Sequence, residues 1–186
     1  MLCRQSTNTS SASASSTSIN KLPSSVHLQV FEHPQDVTRN FAGNMATINE
    51  IQDEIIEEFG GFDDWMDKYQ LLIDLGNEQE PLEEKYKTES NLIDGCQSRV
   101  WLVADYEDGV IRFKAESDAL IVKGIVSLLI RVLSGHRPQE ILDAELYFID
   151  EIGLKEHLSP TRSNGLLAMV KQMRMYALAF HSHQAS

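Results

Sequence analysis

Cysteine is almost missing from this chain of 186 residues, which holds only Cys3 and Cys96. Cys3 lies in a stretch without fold signals, so the pair makes neither a disulfide framework nor a zinc-ligand pattern, and such usage suits a reducing compartment. Basic side chains are also scarce: 16 lysines and arginines stand against 28 aspartates and glutamates, for a net charge of −12 and a pI near 4.8. Nucleic-acid phosphates repel such a surface, which argues against that class of partner. No apolar run is long enough for a bilayer, because the longest, Ala119–Leu133, is broken by Lys123 and Arg131. No charged start leads into an apolar stretch, so no secretory signal is expected. A glycine-rich phosphate loop, a P-loop lysine and a Ser/His/Asp spacing are absent too.

What is present is enough for one folded domain, since 42% of the residues are hydrophobic. The pattern places that domain at residues 45–183. Residues 1–44 read as a disordered, serine-rich tail; they carry three basic and two acidic side chains, so the rest of the chain bears a net charge of −13. The tail also resembles an organelle transit peptide with little basic character. A start of translation at Met45 is a further reading, because the folded pattern begins just after it.

Thr47-x-x-Glu50 reads as a capping box, followed by Ile48, Ile51, Ile55 and Phe59 at helical spacing and a stop at Gly60-Gly61. A second helix starts at Asp63 or Asp64, carries Trp65, Tyr69, Leu72 and Ile73 on one face, and ends near Gly76. Residues 77–94 form a long polar loop. Two strands, Arg99–Asp105 and Val110–Ala115, join through Asp108-Gly109 as a hairpin. Ser117 or Asp118 caps the next helix, where Lys123, Ser127 and Arg131 mark a polar stripe. A short helical turn follows from Pro138 to Leu142, then a third strand over Glu145–Glu151 and a turn near Leu154–Leu158. The last helix spans about Asn164 to Phe180, with Leu166, Met169, Val170, Met173, Ala177 and Phe180 inward. The fold class is α+β: a small, mainly antiparallel three-stranded sheet packed with helices.

Cys96 is the one candidate nucleophile in the patterned region. It follows Gly95 at the end of a polar loop and precedes a strand, which would hold its thiol in a fixed place. A free cysteine is more commonly a small buried hydrophobe, so the position alone does not decide. His136 and His157 read as surface residues at element ends. His181-x-His183 lacks the third ligand that zinc needs. Lys123 reads as solvent-facing.

Three stretches carry a resemblance. Gly95-Cys96-Gln97-Ser98-x-Val100-Trp101, Ser117-Asp118-Ala119-x-Ile121-Val122-Lys123-Gly124 and Leu158-Ser159-Pro160-Thr161-Arg162-Ser163-x-Gly165 occur in one order, and together they resemble the SufE family of sulfur acceptors. The likeness runs from about Thr47 to about Phe180, with hydroxyls exchanged at Ser159 and Thr161. It implies the same α+β architecture. It also implies that Cys96 takes sulfur from a SufS-type cysteine desulfurase, stimulates that enzyme, and delivers the sulfur to a SufBCD-type iron–sulfur scaffold. Gly95, Gln97, Ser98, Asp118 and Arg162 would then support the site or contact the partner. Arg162, just ahead of the last helix, would favour the thiolate of Cys96. No cofactor is expected in the chain itself, because the pyridoxal phosphate belongs to the desulfurase. A cytoplasmic monomer or homodimer fits. The competing reading is a non-catalytic regulator that binds a partner enzyme, with Cys96 structural. A thiol peroxidase would lack a resolving cysteine in the folded region.

Overall fold

The computed structural model describes residues 46–184. The tail assigned to residues 1–44 and the alternative start at Met45 lie outside them. The first helix, α1, spans Ile48–Gly60, and Thr47 and Glu50 form the capping box at its start, each satisfying a backbone donor of the other. Ile48, Ile55 and Phe59 turn inward, together with Gln52, which bonds the Glu145 carbonyl and the Phe148 amide. A buried amide side chain is tolerable because both of its ends are paired. Helix α2, Trp65–Glu78, is capped by Asp64, whose carboxylate accepts from the Met66 amide at 3.0 Å.

Strands β1, Val100–Glu107, and β2, Val110–Ser117, pair antiparallel through a turn in which Asp108 and Gly109 both have positive φ, 54° and 85°. Two such residues give the twist that suits a tight hairpin. One face of the hairpin, with Val100, Leu102, Ala104, Ile111, Phe113 and Ala115, lies in the main core. Residues 81–92 cross the other face as a strap with two single 3-10 turns. Leu82 and Tyr86 of the strap pack there on Val103 and Trp101. Glu116 fastens it by accepting from the Leu82 amide at 2.9 Å and pairing with Lys87 at 3.2 Å. The long polar loop expected at residues 77–94 is therefore the cover of a small second core.

Helix α3, Leu120–Leu133, is the hub, with eight buried residues and contacts to α1, α2, β2 and the last helix. Short helices follow at Pro138–Asp143 (α4), Phe148–Glu151 (α5) and Leu154–His157 (α6), before the 25-residue α7, Pro160–Gln184. Tyr176 of α7 is fully buried, and its hydroxyl donates to the Leu102 carbonyl at 3.4 Å. Among the described residues no helix is long and apolar enough to cross a membrane.

The α+β class holds, with a correction: the sheet has two strands, and the third strand expected over Glu145–Glu151 is instead an approach to α5. Leu146, Phe148 and Ile152 alternate as a strand would. Phe148, Ile149 and Ile152 also recur at helical spacing, and Ile152 donates to Phe148 across one helical turn. Tertiary packing against α1 decides between the two periods.

His136 is a second correction. The sequence places it at the surface, yet it is only 7% exposed, its backbone bridged to Ile111. Burial pushes its pKa down from the usual value, and Glu140, 3.9 Å away, only partly opposes this. The folded state therefore favours neutral His136, whereas the unfolded chain protonates near its ordinary value of about 6.5. Stability is fully present above that pH and is lost as pH falls through it toward the lower folded value. We expect the melting temperature to drop between about pH 7.5 and about pH 5.5, and His136→Gln to flatten the slope. An equal slope in both proteins would exclude His136 as the source.

Candidate functional site

The three stretches singled out in the sequence meet at one place. The Cys96 loop is closed at its base by the Ile93 amide donating to the Val100 carbonyl at 2.8 Å, and by a single bridge between Leu92 and Trp101. The strap thus runs directly into the loop and anchors it to β1. At the tip, Gly95 has φ +88°, a conformation that costs an L-residue energy and lets the chain reverse before Cys96.

Asp118 fastens the other side of the loop. Its carboxylate accepts from the Arg99 amide at 3.0 Å, while its own amide donates to the Arg99 carbonyl at 3.3 Å. It does not cap α3, as the sequence suggested; Ala119 holds the cap position without a side-chain bond there, and the Ser117 hydroxyl accepts from the Ala119 amide at 3.3 Å. A lost backbone bond of this kind is worth roughly 1 kcal/mol. Asp118→Ala should then speed alkylation of Cys96 by iodoacetamide about fivefold, while Asp118→Asn, which keeps an acceptor oxygen, should stay near wild type. Identical rates for the alanine variant and wild type would show that the latch does not hold the loop.

The third stretch is the first turn of α7. The helix starts at Pro160, not at Asn164, so Thr161, Arg162 and Ser163 are helical and not a preceding loop. Proline suits a first helical position, where its missing N–H has no partner to lose. The earlier start brings Gly165 against the thiol: Cys96 Sγ lies 3.6 Å from the Gly165 carbonyl oxygen, in position to donate to it. A methyl group on Gly165 would stand 3.4 Å from the sulfur, so the bare backbone is what the thiol rests on.

These elements enclose a cavity of about 660 Å³. Ile121, Val122 and Met169 give it apolar walls, and Gln97, Ser98, Ser159, Thr161 and Arg162 give it polar ones. Cys96 is half-buried within it. Burial raises its thiol pKa. Arg162, expected to favour a thiolate, lines the same cavity as Cys96. The sulfur sits here in position to donate as a thiol to the Gly165 carbonyl. Arg162 is exposed and has no hydrogen bond or ion pair among the described residues.

Of the predicted residues, Cys96, Gln97, Ser98 and Arg162 line the cavity, whereas Gly95 and Asp118 shape the loop without lining it. Sequence reasoning missed Gly165 as the floor of the thiol and Leu120 at the cavity, although both fall inside the stretches already marked. His181 and His183 are exposed at the far end of α7.

The family model described as "SufE: Fe-S metabolism associated domain" matches residues 53–177. The chain belongs to the SufE family. An uncharacterised SufE-like protein of Rhizobium meliloti (strain 1021) is 41% identical over 131 residues, covering 67% of this chain and 93% of the relative. One from Synechocystis sp. is 38% identical over 140 residues, covering 75% and 88%. A hypothetical protein from Thermus thermophilus, solved in solution, superposes with a TM-score of 0.58 at 24% identity, covering 69% of this chain and 94% of its own. That likeness speaks for the fold alone. Membership associates this SufE-family chain with iron–sulfur metabolism.

Proposed function

We propose that this chain is a sulfur acceptor and carrier, with Cys96 as the residue that takes the sulfur. The observation that carries the reading is the thiol itself, half-buried on a short latched loop at a cavity much larger than one sulfur needs. The donor is the persulfide of a pyridoxal-phosphate cysteine desulfurase of the SufS type. The Cys96 thiolate attacks the outer sulfur of that persulfide; a sulfur–sulfur bond forms at Cys96, and the bond to the donor cysteine breaks. The donor leaves as a thiolate, the Cys96 proton passes to solvent or to that thiolate, and no external oxidant is needed. Cys96 then carries the sulfane sulfur to an iron–sulfur scaffold of the SufBCD type. The pyridoxal phosphate stays with the desulfurase. Its setting is cytoplasmic.

The resting geometry suits a carrier. A thiol donating to Gly165 with a raised pKa is a poor nucleophile, which limits reaction with stray electrophiles. Turning the loop outward removes the burial that raises the pKa, so reactivity appears where a partner engages the loop. The test is mass spectrometry after incubation with a cysteine desulfurase and free cysteine. A mass gain of one sulfur, located on the peptide carrying Cys96 and removed by reductant, is the expected result. No gain, or a gain only elsewhere in the chain, defeats the reading.

A further inference from the structure

Transfer to Cys96 requires the donor sulfur to come within bonding distance of its Sγ, so the surface around the cavity must be covered by the donor protein. That surface is chemically uneven. Leu120, the first residue of α3, lines the same cavity as Cys96 and is 58% exposed, while its neighbours Ala119 and Ile121 are half-buried and Val122 is buried. Single exposed leucines are ordinary on protein surfaces. Leu167 and Leu178 are as exposed, at 60% and 56%, but they line a different groove, beside Leu142 of α4, that holds no thiol. Leu120 differs because the reaction itself demands that something cover its position. The unpaired cation of Arg162 lines the same cavity.

We propose, resting on the sulfur-acceptor reading, that Leu120 is the apolar anchor of the desulfurase docking surface. The partner buries it in an apolar recess beside the persulfide cysteine, and a carboxylate of the partner meets Arg162. Anchors of interfaces cluster near the centre, in the part that loses water completely, and the reacting sulfur must lie at that centre. The charged contact acts mainly on association rate and orientation, and the leucine acts on residence.

Binding of the full chain to a pyridoxal-phosphate-loaded cysteine desulfurase, followed by calorimetry, tests this. Leu120→Ser should raise Kd roughly tenfold, the effect of removing most of one leucine's buried apolar area. Leu120→Met should stay within about threefold of wild type, and Leu167→Ser should leave Kd unchanged. The melting temperature should match wild type in all three, which separates docking from loss of fold. Equal Kd values for Leu120→Ser and Leu167→Ser would overturn the anchor while leaving sulfur acceptance at Cys96 standing. A wild-type chain that does not bind the desulfurase at all would sink both.

Discussion

Cys96→Ser should accept no sulfur from a desulfurase and should lose its stimulation of that enzyme, while melting within a few degrees of wild type. The oxygen of serine is smaller than the sulfur it replaces, so it fits the same space, and its hydroxyl is a donor that can face the Gly165 carbonyl as the thiol does. The site is half-buried, so the change in transfer free energy is small, about 1 kcal/mol or less. Function falls for a different reason. A hydroxyl without an activating base is a weak nucleophile, and none of the side chains around the cavity is a base poised to take its proton. Nor is an oxygen–sulfur product the carrier species that a downstream acceptor could reduce. The measurement pairs mass spectrometry of the variant with desulfurase turnover at saturating cysteine. A purely regulatory protein would behave otherwise: its docking surface is intact in the serine variant, so stimulation would persist. Full stimulation by Cys96→Ser would therefore remove Cys96 from the chemistry.

The legible parts of the sequence are those in which a local rule and the tertiary context agree. Thr47 and Glu50 announce a helix start, and Asp108-Gly109 announces a hairpin, because each satisfies its geometry within a few residues. The three motifs meet at one cavity, and each brings its own local device: a positive-φ glycine, a carboxylate latch, a proline-started helix. What sequence could not supply was long-range packing. Leu146, Phe148 and Ile152 suit a strand while Phe148, Ile149 and Ile152 suit a helical turn, and only contact with α1 selects the turn. His136 looks like any histidine after a glycine until Ile111 is seen to pair with its backbone. A cation, a helix end and a thiol make a familiar combination, which is why the sequence suggests an electrostatic role for Arg162. In the structure burial raises the thiol's pKa, and Arg162 is exposed at the same cavity without an ion pair among the described residues.

Gly124→Ala should be the most damaging single methyl added to this fold. Alanine is the better helix former by about 1 kcal/mol, so propensity alone would make the change stabilising. Packing opposes it more strongly. A β-carbon on Gly124 would be driven into the backbone of Leu72, against its carbonyl oxygen, carbonyl carbon and Cα, and none of these can rotate aside. Gly76 faces the same contact from α2, where an added β-carbon would come within 2.9 Å of the Gly124 nitrogen. The two glycines let the backbones of α2 and α3 touch, and relief requires the helices to separate. Overpacking of this kind costs roughly 3 kcal/mol or more after the propensity gain is subtracted, which for a domain of this size lowers the melting temperature by about 10 °C. The consequence reaches the site, because the start of α3 carries Leu120, Ile121 and Val122 to the cavity of Cys96. Displacing α3 should therefore also speed alkylation of the thiol. Gly60→Ala is the control: nothing lies within 4 Å of the added carbon, and the expected change is neutral to slightly stabilising. Thermal melting of the two variants side by side decides it. If Gly124→Ala melts with or above Gly60→Ala, the close approach of α2 and α3 does not exist, and the place of Gly124 in the Ser117–Gly124 motif needs another cause.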